Sequence, residues 1–129
     1  DTRGVRVTLS SRSALEWQLD ESMREIDILA SLCHGMTYHS ERYPGWEYQP
    51  KSALRELYLD AYEKRFGKRL EVCVIHAGLE CGILSSKMPG IDAISIGPTM
   101  FDIHSPDEHL DLESVANVWQ VVCDIVESK

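Results

Sequence analysis

At 129 residues, 43% hydrophobic and 26% charged, the chain carries enough apolar material for one globular core, which sets disorder aside. Its formal charge of -8 argues against a phosphate-rich partner, because nucleic-acid binding draws on clustered lysine and arginine. Apolar runs such as 72–75 and 91–96 fall far short of the roughly 18 residues that cross a bilayer, and no signal-peptide pattern opens the chain, so a soluble cytoplasmic protein with no nucleic-acid or membrane partner is expected.

Residues 5–9 alternate Val5, Arg6, Val7, Thr8 and Leu9, the period of a half-buried strand. Over 14–33, Leu15, Leu19, Met23, Ile26, Leu29 and Cys33 recur at helical spacing, which predicts an amphipathic helix covering a sheet. Gly35 is its expected stop, since glycine accepts the left-handed conformation at a helix end. A second strand is predicted over 36–40. The next stretch, RYPGWEYQP from Arg42 to Pro50, is punctuated by proline and glycine and holds three aromatics. It reads as a connector clamped by its apolar side chains, or alternatively as a ligand wall.

A second helix is predicted over 52–66, stopped at Gly67. Residues 70–75 and 91–96 are mostly apolar runs, read as parallel strands covered on both faces by helices, with a short helical piece over 81–84 between them. Asp111 then caps a last helix whose Leu112, Val115, Val118, Trp119, Val122 and Ile125 form one apolar stripe. Cys33, Cys73, Cys81 and Cys123 form no CxxC pair. They are expected to be reduced, with Cys33, Cys73 and Cys123 buried as small hydrophobes. The fold class is therefore α/β, in two unlike pieces joined near 43–50, and the first, strand-helix-strand, is below the size at which most domains fold alone.

Two loops follow the predicted buried strands, and in open α/β sheets such loops converge on a ligand crevice. One holds His76, Gly78 and Glu80; the other holds His104, Asp107, Glu108 and His109. A neutral imidazole at His104 suits zinc or manganese, with nearby carboxylates orienting its second nitrogen. The same loop also reads as a polar lead into a helix, with Asp107 and Glu108 favoured by the helix dipole. Gly78 and Gly82 suggest close backbone approach, to a substrate or to a packed neighbour. His76 reads as a ligand or as a hydrogen-bonded core histidine. Arg12, at the end of the first predicted strand, has the planar fork that binds a carboxylate, or is solvated or paired with an acid of the fold.

Taken together, YPGW, VIHAGLECG, SIGPT and HSPDEHL resemble the carboxyl-terminal quarter or so of the aminoacyl-histidine (Xaa-His) dipeptidases, zinc-dependent metallopeptidases related to carnosinase. The resemblance implies that 1–42 is the end of a lid (dimerisation) domain. It implies that 43–129 is the last part of a phosphorylase/hydrolase-like catalytic domain. His104 then matches a metal ligand, while Gly78 and Arg12 match substrate-binding positions. The implied cofactor is a pair of zinc ions, with manganese or cobalt as alternatives, and the implied reaction is hydrolysis of carnosine-like dipeptides by a metal-activated water. The general base and the other ligands would lie upstream, and a start at Asp1 rather than methionine fits a piece of a longer enzyme. Such a piece is expected to be inactive alone, with no fully bound metal, and to pair as a homodimer through exposed apolar faces. The alternative of a different class is a self-standing α/β binding or interaction module.

Overall fold

A computed structural model describes residues 4–75 and 80–128. Among them are the helices α1 (Glu16–Leu32), α2 (Ala53–Phe66), α3 (Glu80–Lys87) and α4 (Leu112–Glu127), and the strands β1 (Met100–Phe101) and β2 (His109–Leu110). The strands pair antiparallel, Met100 opposite Leu110 and Phe101 opposite His109. The chain divides into two compact units, Asp1–Tyr48 with Val74–Pro89 and Gln49–Cys73 with Gly90–Lys129.

Helix and sheet are mixed as expected, but the expected sheet is not formed. Residues 5–9, 36–40, 70–75 and 91–96 carry no strand pairing. The side chains of 5–9 and 36–40 stay exposed, Val5 at 91% and Met36 at 99%, while Ile91, Ala93 and Ile94 are half-buried. A helix closes its own backbone hydrogen bonds, whereas a strand is completed only by a neighbour's ladder, and among the described residues no ladder reaches these segments. The same lack leaves the apolar face of α1 open: Leu19 is buried, but Leu29 and Leu32 are exposed.

In the first unit, α1 opens under Ser13, whose Oγ accepts the Leu15 N–H at 3.0 Å and donates to Gln18 Oε1 at 2.7 Å. It ends through His34, not Gly35, in the left-handed conformation (φ 54°), while the Gly35 amide closes on the Ala30 carbonyl at 2.8 Å. Histidine tolerates this conformation better than branched residues do. The connector is clamped onto α1. Glu16 accepts the Gly45 N–H at 2.8 Å and the Arg42 guanidinium, and Arg42 also reaches Asp20 at 2.7 Å. The Gly45 amide, and then Arg42, hold the Glu16 carboxyl below its ordinary range.

Gly45 has to be glycine here, because a Cβ would stand 2.6 Å from the Ala14 carbonyl oxygen. Gly82 of α3 meets the Pro44 carbonyl at 2.9 Å in the same sense. Of the two readings of that glycine, packing against a neighbouring element is the one observed.

In the second unit, α2 is capped by the buried Ser52, whose Oγ accepts the Arg55 N–H at 3.0 Å and donates to Asp92 Oδ1 at 2.6 Å. Such a cap contributes about 1 kcal/mol. Asp92 also takes the Leu54 N–H at 2.9 Å, and this amide, followed by Ser52, lowers its pKa. Gly67 ends α2 at φ 69°, as its position suggested. Helix α2 packs on α4, burying Tyr58, Leu59 and the fully enclosed Val121, and Arg65 spans the two to Asp124. Cys33 and Cys73 are exposed and Cys123 half-buried, so the expected burial of these thiols is not found.

Candidate functional site

The opening of α4 is tied to the preceding hairpin by several hydrogen bonds. Asp111 caps the helix by accepting the Glu113 N–H at 2.8 Å, and its own N–H donates to the Thr99 carbonyl at 3.0 Å. Ser114 Oγ accepts the Thr99 N–H at 2.8 Å and donates to the Asp111 carbonyl at 2.7 Å. These bonds tie both legs of the β1–β2 hairpin to the first turn of α4. The hairpin is braced by the stacked rings of Phe101 and His109, 5.1 Å apart.

Residues 102–108 form the hairpin loop, and His104 stands in it. Asp102 and His104 are both left-handed, at φ 52° and 65°. Each costs roughly 1–2 kcal/mol that its surroundings must offset. The Ser105 N–H donates to the Asp102 carbonyl at 3.0 Å, the Glu108 N–H to the Ser105 carbonyl at 3.2 Å, and the Asp107 N–H to Ser105 Oγ at 3.1 Å. The His104 N–H donates to the Glu108 carboxylate, Oε2, at 2.7 Å. His109 Nδ1 donates to the Asp107 carbonyl at 2.7 Å, which ties that ring nitrogen to the loop. The His104 side chain is exposed and makes no hydrogen bond or ion pair among the described residues.

Asp107 and Glu108 do not lead straight into the helix. Strand β2 intervenes, and the helix dipole is answered by Asp111 and Glu113. The use of Glu108 by the His104 amide was not read from the sequence; the four-residue spacing inside HSPDE is the one signal that pointed to it.

Arg12 lies in the first unit, exposed in the extended segment before α1, with no ion pair among the described residues. His104 belongs to the second unit. Gly78 and His76 lie outside the described residues. Glu80 is exposed in the first turn of α3. Among the described residues no three His, Cys, Asp or Glu side chains gather to hold a metal ion, whereas a catalytic zinc takes about three protein ligands. His104 is a ligand of suitable chemistry, but these residues do not by themselves make a metal centre.

Comparison with known proteins places this geometry. The cytosol non-specific dipeptidase of Escherichia coli K12 is 34% identical to the chain over 123 residues. This chain is homologous to part of a dipeptidase. The match covers 95% of the chain and 25% of that protein. The crystal structure of aminoacylhistidine dipeptidase from Vibrio alginolyticus superposes with a TM-score of 0.74 at 31% identity, over 90% of the chain and 24% of that structure. No family model matches. The chain thus spans about a quarter of the length of the relatives it matches. The resemblance carried by YPGW, HAGLECG, GPT and HSPDE holds, and the mixed helix and sheet of the chain is that of a dipeptidase over the aligned stretch. Among the described residues no helix is long and apolar enough to cross a membrane.

Proposed function

We propose that the chain is the carboxyl-terminal part of a metal-dependent dipeptidase that hydrolyses dipeptides with a carboxyl-terminal histidine, carnosine-like substrates included. The observation that carries this reading is 34% identity to a dipeptidase running through 95% of the chain rather than through one motif. In this reading 1–42 closes a lid domain and 43–129 completes the catalytic domain of a cytoplasmic homodimer. Arg12 receives the substrate carboxylate through its guanidinium fork. The backbone at Gly78 lines the substrate, and His104 supplies one ligand to a two-metal centre of zinc, or of manganese or cobalt. Bound there, such ions would supply Lewis-acid polarisation of the scissile carbonyl and an acidified water. The general base and the remaining ligands belong to sequence outside these residues, so the 129-residue chain is inactive alone.

The two relatives bear names of different breadth, one non-specific and one aminoacylhistidine, and this difference sets the assay. The complete protein, supplied with zinc or manganese, is expected to release histidine from carnosine faster than it cleaves dipeptides lacking histidine. Equal rates on both would overturn the histidine preference and leave the broader dipeptidase. No cleavage of any dipeptide would sink the enzymatic reading, and turnover by the isolated chain would contradict its inactivity.

A further inference from the structure

The loop that carries His104 contains a charged group whose position the catalytic reading leaves unused. Four backbone amides of the loop have partners, and three of them are satisfied by Asp102 and Ser105. Pro106 has no N–H to offer. The fourth amide, that of His104 itself, is taken by the carboxylate of Glu108, four residues on, at 2.7 Å. A bond from an amide to an ionised acceptor is stronger than a neutral one. It falls on a residue held at φ 65°, where a non-glycine backbone needs compensation. The competing role for Glu108, answering the dipole of α4, is already filled by Asp111 and Glu113.

We propose that Glu108 is the positioning residue of His104: its carboxylate closes the loop on the His104 amide and holds that residue left-handed, leaving the imidazole exposed and uncommitted within the hairpin. The proposal rests on the reading of His104 as a metal ligand. His109, five residues on in the same hairpin, makes the contrast, since its Nδ1 is bonded to the Asp107 carbonyl and its ring stacks on Phe101, whereas the His104 side chain makes no such bond among the described residues. Glutamine at 108 would keep an acceptor oxygen at the same reach, whereas alanine would keep none.

The test uses the complete protein and its His104→Ala, Glu108→Ala and Glu108→Gln variants. Zinc affinity is measured by competition with a chromophoric chelator, amide exchange over 102–108 by mass spectrometry, and thermal midpoint alongside. Glu108→Ala is expected to weaken zinc binding about 10-fold or more, while Glu108→Gln stays within about 3-fold of wild type. Exchange at the His104 amide is expected to rise at least about 10-fold in Glu108→Ala, with the thermal midpoint little changed. If His104→Ala weakens zinc binding but Glu108→Ala changes neither zinc affinity nor exchange, the positioning role is overturned. It is equally overturned if alanine and glutamine are alike defective and both lower the midpoint, since that marks a merely structural residue. Unchanged zinc affinity in His104→Ala overturns the ligand reading itself.

Discussion

Helices α2 and α4 and the extended segments 36–40, 70–75 and 91–96 come from the same chain, and the sequence predicts helices for the first and strands for the others. The helices form and pack, enclosing Val121 completely. The extended segments stay without pairing, and Met36 is 99% exposed. The difference is not one of hydrophobicity, since 70–75 and 91–96 are among the most apolar runs present. A helix satisfies its backbone within itself, while a strand needs another strand's amides and carbonyls. Among the described residues the chain therefore keeps its helices, while these extended segments have no ladder.

Amide exchange should widen this comparison most. In the isolated chain the amides of α2 and α4 are expected to exchange orders of magnitude more slowly than those of 70–75 and 91–96. In the complete protein the extended segments should become protected. Exchange of these segments as fast in the complete protein as in the isolated chain would break the explanation.

Substitution gives the next largest contrast. Val121→Asp places an unpaired charge in the closed α2–α4 contact and is expected to cost at least about 3 kcal/mol, read as loss of cooperative helix melting. The same change at Met36 should alter stability by less than about 0.5 kcal/mol. A large effect at Met36 in the isolated chain would mean that the extended segments are more tightly held than their exposure allows.

Acid should produce the smallest effect, read here on the second unit. The Arg65 guanidinium lowers the pKa of Asp124, and the Leu54 amide, then Ser52, lowers that of Asp92. Carboxyls with depressed folded values contribute their full stability above the ordinary aspartate range, and lose it as pH falls through the folded values. Helix content followed by circular dichroism is expected to fall with acid over that window. Asp124→Asn should flatten part of the slope while changing little at neutral pH, because the pair is more than a third exposed and screened by solvent.

The helix-bearing part of the fold was legible because its signals are local. Ser52, Gly67 and Asp111 each mark a helix end through a bond made within a few residues. The end of α1 was misplaced by one residue because His34 and Gly35 share one motif, and the left-handed position falls on the histidine. The hairpin was not legible at all. Its strands are two residues each, its loop lacks an Asn-Gly or Asp-Gly turn, and its legs are held by Thr99, Asp111 and Ser114 across 15 residues of chain.

The candidate site divides in the same way. His104 could be singled out from residue type and its place in HSPDEHL, but its backbone conformation and its bond to Glu108 could not. The sequence by itself determined the helix ends at Ser52, Gly67 and Asp111 and the relation of the chain to dipeptidases, because these follow from short-range sterics or from residue identity. Only the tertiary structure decided that the apolar runs stay unpaired, that Gly82 meets Pro44, and that Glu108 serves the His104 amide. Each of those depends on which atoms are brought near from elsewhere in the chain, and no periodicity encodes that.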